Sequence, residues 1–162
     1  MNTIRRTEKT ALKKKKDFYQ TNPLMVTSLI NYLKQNKFRR SLKVLDPCEG
    51  QGVISKGLNT YFKKVSASDL YNDDNIDFLE TEEKYNIIVM NPPYSAKYKF
   101  IDHARKHARY VFCLLPLNVS NYNMFHRQYE DIPEFVGKLQ MAPKMFLDET
   151  IDFKPGGTTQ YC

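Results

Sequence analysis

The sequence predicts an α/β domain built on a mostly parallel sheet. Three observations carry this. Short apolar runs recur at residues 42–45, 65–68, 85–90 and 110–115, each bounded by polar or proline-containing turns. Segments with the apolar spacing of a helix lie between them. The strand runs are apolar on both faces, the pattern of a sheet covered by helices on each side.

The elements follow in order. Asn22 before Pro23 is a helix N-cap with proline at the first helical position. Val26, Leu29, Ile30 and Leu33 then repeat at i, i+3, i+4, i+7, so residues 23–36 are expected to form an amphipathic helix. Lys37, Arg39 and Arg40 close it with positive charge at the negative end of its dipole. The strand 42–45 runs into Asp46-Pro47-Cys48-Glu49-Gly50-Gln51-Gly52, and a helix is expected over about 52–62, with Ile54, Leu58, Tyr61 and Phe62 on one face. Strand, glycine turn and helix in that order hold a nucleotide-like ligand at the head of a parallel sheet, because glycine lets the ligand approach the backbone. No Gly-Lys-Ser/Thr follows, so the turn is not a P-loop.

The next strand, 65–68, ends at Asp69, where an acid is placed to hold two ribose hydroxyls; a lone Asp taken by itself is more often a turn residue. The short distance from Asp69 to Asn91 leaves residues 76–79 as a short strand or turn with little or no helix before it. A basic helix is expected over 97–109, then a strand over 110–115 closed by Pro116. His103 and His107 stand at i, i+4 without a Glu or Cys set to complete a metal site, and read as surface or backbone-facing side chains. Beyond Pro116, a helix over 121–130, a strand over 135–141, a loop carrying Phe146 and Phe153, and β-prone residues 158–162 are expected.

The strand 85–90 meets Asn91-Pro92-Pro93-Tyr94. Two prolines end the strand and stiffen the turn, since each fixes φ and neither donates an N–H. The platform offers the Asn91 amide oxygen, the Pro92 carbonyl and an exposed Tyr94 ring. Two adjacent acceptors suit a planar NH2 group, which has two hydrogens to give, and the ring suits a flat π system beside it.

Composition narrows the class. At 162 residues with 41% apolar content, the chain has room for one core and no second domain. No apolar run approaches a membrane span, and the polar, basic N-terminus is not a secretory signal. Cys48, Cys113 and Cys162 are an odd set without CxxC spacing and read as reduced thiols of a cytoplasmic protein, Cys113 as plain core. The net charge of +7 is uneven: residues 1–16 hold seven basic groups against Glu8, and the rest is near neutral. Residues 1–16 are therefore a basic tail suited to a phosphate backbone, ahead of a single domain over 17–162.

Taken together, these motifs resemble the class I S-adenosylmethionine-dependent N6-adenine DNA methyltransferases. Asp46 to Gly52 resembles the DPxxGxG cofactor loop; Asp69 matches the acid after the second strand; Asp77-Phe78 resembles the element beside the cofactor adenine. Asn91 to Tyr94 resembles the catalytic (D/N/S)PP(Y/F), and Tyr19 to Pro23 the N-terminal cofactor motif. The resemblance spans about residues 17–118 and implies a Rossmann-like class I methyltransferase fold, pared down around residues 70–80. It implies catalytic roles for Asn91, Pro92 and Tyr94, and S-adenosyl-L-methionine contacts from Tyr19, Thr21, Asp46, Pro47, Cys48, Gly50, Gly52, Asp69, Asp77, Phe78 and Asn91. Phe146 and Phe153 are candidates for the face of the adenine opposite Tyr94, and Cys48 lines the loop rather than attacking. No metal is implied.

The sequence departs from that pattern twice. It leaves no room for an additional target-recognition region, and it stops where the last β-hairpin strand would begin. A homodimer or a specificity partner is the expected remedy, with nucleic acid, DNA first, as substrate. Rival readings keep the chemistry on RNA adenine or a protein glutamine, or make the chain a non-catalytic nucleic-acid-binding subunit.

Overall fold

A computed structural model describes residues 20–72 and 76–115. The Asn22 side chain accepts a hydrogen bond from Leu24 N at 2.8 Å and starts helix α1, Pro23–Gln35. A short polar cap and a proline that lacks the N–H a first turn cannot use make this start cheap. Met25, Val26, Ile30 and Leu33 are its buried face. The helix closes with paired bonds from Lys37 N to Lys34 O and from Phe38 N to Leu33 O, both 3.0 Å, and Lys37 takes φ 58°. That left-handed position usually goes to glycine, because an L side chain there costs about 1–2 kcal/mol.

Four strands follow: β1 (Lys43–Asp46), β2 (Lys64–Ala67), β3 (Tyr85–Met90) and β4 (Ala108–Cys113). They form one sheet in the order β2-β1-β3-β4, with every pair parallel. Helix α2 (Val53–Asn59) links β1 to β2, and α3 (Lys97–His107) links β3 to β4. Between β2 and β3 the described residues hold only a 3-10 turn, Phe78–Glu80. The short strand or turn expected at 76–79 is thus a turn that starts two residues later and ends one later, and the economy expected of this region is present among the described residues.

Two apolar clusters cover the sheet. On one face Val44, Ile87 and Val89 pack against Val26, Ile30 and Leu33 of α1 and Ile54 and Leu58 of α2. On the other, Leu45, Ile88 and Met90 pack against Ile101 and Ala104 of α3 and Phe78 of the 3-10 turn. Each fully buried Leu or Ile contributes about 1.5–3 kcal/mol. The helices of the first face touch through Gly57, where an added Cβ would lie 2.2 Å from Val26 Cγ1.

Several sequence expectations shift. The second helix ends at Asn59 rather than 62, because Tyr61 and Phe62 already turn back with their N–H groups on Leu58 O. The third ends at His107 rather than 109: Ala108 is extended (φ −141°, ψ 151°) and pairs with Tyr85, so β4 starts two residues early. β1 and β2 are each displaced by one residue from the expected 42–45 and 65–68. β2 is not apolar on both faces; it is the sheet edge, and Lys64 and Ser66 are exposed. Cys113 is half-buried at the margin of the second cluster. No helix among the described residues is long and apolar enough to cross a membrane. The basic tail 1–16 and every expectation after residue 115 lie outside the described residues.

Candidate active site

In a parallel sheet the chain order reverses between β1 and β3, so the loops leaving these strands diverge and open a crevice at their carboxyl ends. Both sequence motifs sit there. β1 ends at Asp46, which is wholly buried. Its carboxylate accepts hydrogen bonds from Cys48 N at 3.3 Å and from Ser55 N in α2 at 3.2 Å, so it ties loop and helix to the strand. Burial pushes its pKa up to about 7; Glu49 and Asp69 push the same way, and the two backbone bonds only partly oppose them.

The loop then folds back on β2. Glu49 N donates to Ser68 O at 3.1 Å, and Gly52 N to Glu49 O at 2.8 Å. Gly50 and Gly52 take φ 52° and 74°, the left-handed region that glycine enters without strain. A Cβ on Gly52 would also stand 3.3 Å from Lys56 Cε and 3.4 Å from Glu49 Oε1. Asp69 closes the loop: one oxygen accepts from Gly50 N at 2.9 Å, the other from Tyr71 N at 2.8 Å. Its position beside the glycine turn therefore has a structural basis of its own. Glu49, which the sequence did not single out, accepts from Ser55 Oγ at 3.2 Å and Asn72 Nδ2 at 3.3 Å. Its signal was only its place inside the turn.

Across the crevice, β3 delivers Asn91. The Asn91 amide nitrogen donates to Thr21 Oγ1 at 3.1 Å. Anchoring one branch of an amide sets where the other branch, its oxygen, can point. Pro92 is fully buried, which makes the turn rigid, and Ala96 N closes the turn on the Pro93 carbonyl at 2.9 Å rather than on that of Pro92. Tyr94 is half-buried rather than exposed as expected; its carbonyl accepts from Lys97 Nζ at 3.2 Å. The sequence alone placed this residue in solvent; in the fold, just before α3, it is only partly so.

The segment before α1 joins the two sides. Gln20 Nε2 donates to Gln51 Oε1 in the glycine loop at 2.6 Å, while Thr21 holds Asn91. The structure thus brings Thr21, Asp46, Pro47, Cys48, Gly50, Gly52, Asp69 and Asn91 to one end of the sheet, with Gln20 and Gln51 as a link that the motifs did not reveal. Tyr19 lies outside the described residues. Asp77 caps the 3-10 turn by accepting from Leu79 N at 2.9 Å. Phe78 is a core residue in this structure, packed at 5.6 Å on the Phe100 ring and 4.9 Å on His103. Burial, with help from the Asp46 carboxylate, raises the Cys48 thiol well above its ordinary range, which suits a lining residue and not a nucleophile.

The two histidines face backbone. His103 Nε2 donates to Thr81 O at 3.0 Å and His107 Nδ1 to Glu83 O at 3.3 Å, with the rings stacked 4.3 Å apart. His107 is buried rather than on the surface.

No protein-family profile and no curated protein matches the chain. Solved structures do. The Thermoplasma acidophilum 1320 protein superposes with a TM-score of 0.55 at 17% identity, over 65% of this chain and 67% of its own. A candidate RNA methyltransferase from Pyrococcus horikoshii gives 0.59 at 18% identity, over 70% of this chain and 68% of its own. The 23S rRNA methyltransferase ErmE gives 0.50 at 15% identity, over 66% of this chain and 51% of its own. With its parallel sheet, its switch-point crevice and these neighbours, the chain has the Rossmann-like fold of the class I methyltransferases.

Proposed function

We propose that the protein transfers the methyl group of S-adenosyl-L-methionine to the exocyclic N6 amine of adenine in DNA. One observation carries the reading: the acid-and-glycine loop after β1 and the Asn91-Pro92-Pro93-Tyr94 platform after β3 face one crevice and are joined by Thr21 and Gln20. The donor set fits the cofactor. A cationic sulfonium compound suits a crevice with Asp46, Glu49 and Asp69, and a cation close to Asp46 would relieve the burial that raises its pKa. Asp46, Pro47, Cys48, Gly50, Gly52, Asp69 and Thr21 would hold it, with Asp77 beside it. When bound, the cofactor supplies an activated methyl.

The chain's own residues orient the acceptor. An adenine amine is a poor nucleophile, because its lone pair is delocalised into the ring. The Asn91 side-chain oxygen and the Pro92 carbonyl accept its two hydrogens and favour the pyramidal amine that attacks. Neither has to be a strong base, since the proton leaves after transfer. The Tyr94 ring stacks on the base and helps offset the few kcal/mol, roughly, of taking it out of a duplex. Alignment of two bound partners is the main catalytic device. A target-recognition partner or second copy would supply specificity.

A second reading keeps the mechanism and places the adenine in RNA. It is favoured by the likeness to one solved 23S rRNA methyltransferase and one candidate RNA methyltransferase.

The test is transfer of tritiated methyl to duplex DNA, single-stranded DNA, RNA and a protein extract in parallel, with Asn91→Ala as the blank. Label recovered from DNA as N6-methyladenine is expected. Asn91→Ala should lose transfer by at least about a hundredfold while retaining cofactor affinity by calorimetry, because it removes an acceptor used at the reacting amine. Near-normal turnover in that variant would sink the mechanism. Label only in RNA would move the substrate and keep the residues.

A further inference from the structure

We propose that the amino-terminal end of the sheet is a second docking surface, one that grips the phosphate backbone of duplex DNA away from the methyl-transfer site. The proposal rests on the DNA reading above for its choice of partner; the surface itself rests on separate observations.

Charge is the first. Residues 23–45 and 50–68, which hold α1, β1 up to Leu45, α2 and β2, contain no Asp or Glu; Asp46 ends β1 at the other end of the sheet. Six of their eight cations lie in the last turn of α1 or just after it, or after α2 where β2 begins: Lys34, Lys37, Arg39, Arg40, Lys63 and Lys64 are all exposed, whereas Lys56 of α2 reaches Gln51 O in the glycine loop at 3.1 Å. Lys43, at the start of β1, is paired in register with Lys64 and is the member neutralised by an acid, Glu83. Helix dipoles attract cations only within the last turn. That covers Lys34 and Lys37 but not Lys64, which lies in a strand.

Construction is the second. Arg40 Nε donates to Tyr61 O at 2.8 Å, and Lys63 N donates to Arg40 O at 2.9 Å. Lys34 and Arg40 stand 5.6 and 5.7 Å from the centre of the Tyr61 ring. Lys34 and Arg40 are thus held at one ring against their mutual repulsion, with the backbone of Lys63 beside them.

Backbone strain is the third. Lys37 occupies the left-handed position after α1, where glycine would be free of strain, and its side chain is exposed at the cluster.

A polyanion with closely spaced phosphates answers all three. Duplex DNA carries one charge per about 1.7 Å, so six cations can engage several phosphates without reading sequence. The surface lies at the opposite end of the strands from Asp46 and Asn91, about 10–13 Å along four-residue β1 and about 17–20 Å along six-residue β3. One straight duplex cannot lie on both ends. The amino-end surface therefore holds a second DNA segment, so that the enzyme can stay on DNA while its catalytic end samples another.

The test uses the full chain and a duplex made only of G·C pairs, which contains no adenine for the catalytic site. Anisotropy is read over a salt series for wild type, for the triple variant Lys37→Gly/Arg39→Gln/Lys63→Gln, and for Lys99→Gln, an exposed cation of α3 outside the cluster. The triple variant should bind at least about tenfold more weakly at low salt, and the slope of log affinity against log salt should fall by about 2–3, near 0.9 per lost phosphate contact. Lys99→Gln should bind as wild type does. An unchanged triple variant overturns the proposal, as does an equal loss in Lys99→Gln, or retention of wild-type affinity for the duplex while a G·C-only RNA duplex alone is lost. Lys37→Gly by itself keeps the test clear of folding defects: its melting midpoint should rise while its affinity falls a few-fold, and a rise without loss of affinity counts against the surface. If wild type methylates no DNA but the triple variant still loses duplex binding, the docking surface stands and the substrate reading falls. If DNA is methylated and the triple variant binds normally, the reverse holds.

Discussion

The two ends of the sheet solve the same backbone problem in opposite ways. At the carboxyl ends, the turn after β1 needs two left-handed residues and uses Gly50 and Gly52. At the amino ends, the turn after α1 needs one and uses Lys37. The first end gathers Asp46, Glu49 and Asp69, with Asp46 pushed up to about 7 by burial. The second gathers exposed lysines and arginines. Where a small ligand must come close to the backbone, side chains are removed; where a surface must reach outward, a side chain is kept despite its strain. Carboxylates thus gather at the glycine loop, where a cationic methyl donor would bind, and exposed cations gather beside the amino ends of β1 and β2, where a polyanion would.

The largest effect that could break this contrast is a pH dependence at Asp46. In an unfolded chain a carboxyl titrates near about 4; in the fold Asp46 titrates at about 7. Between those values the native state keeps a proton that the unfolded state has released, so stability falls as pH rises through this window and is level above it. At about 1.4 kcal/mol per unit of separation, the total is on the order of 4 kcal/mol. Urea unfolding across the window should show this slope in wild type and not in Asp46→Asn, and saturating S-adenosyl-L-methionine should flatten the wild-type curve. Parallel curves would show that Asp46 is not held at a cost.

A smaller and sharper test exchanges the turn residues. Gly52→Ala should destabilise by about 1–2 kcal/mol from its positive φ, with additional crowding against Lys56, Glu49 and Ser55. It should also weaken cofactor binding, read by calorimetry. Thr21→Val removes the acceptor that orients Asn91. A roughly tenfold fall in kcat with little change in cofactor affinity is expected, about 1.4 kcal/mol, and Thr21→Ser should recover most of it. Wild-type turnover in the Val variant with a loss in the Ser variant would mean that the methyl group of Thr21, not its hydroxyl, matters. The smallest effect is Lys37→Gly, which should stabilise by about 1 kcal/mol in thermal melts, opposite in sign to Gly52→Ala.

Much of this was legible in the sequence, for identifiable reasons. The Asn22-Pro23 start, the strand 85–90 and the turn at Asn91 depend on local sterics, which a few residues decide. Element ends were less legible. Whether Ala108 extends or stays helical depends on its partner Tyr85 across the sheet, which no local pattern contains. Phe78 illustrates the same limit at the site: its motif did not reveal that its ring packs on Phe100 and His103.

The sequence by itself determined the class of fold, the two motifs and their order, because periodicity, glycine and proline act over a few residues. Only the tertiary structure decided that Thr21 holds Asn91, that Gln20 reaches Gln51, that Asp46 is wholly buried, and that Lys34 and Arg40 at the end of α1 and after it meet Tyr61 and Lys63 before β2. Each of these joins residues far apart in the chain. Strand order and packing set such distances, and side-chain chemistry alone does not encode them.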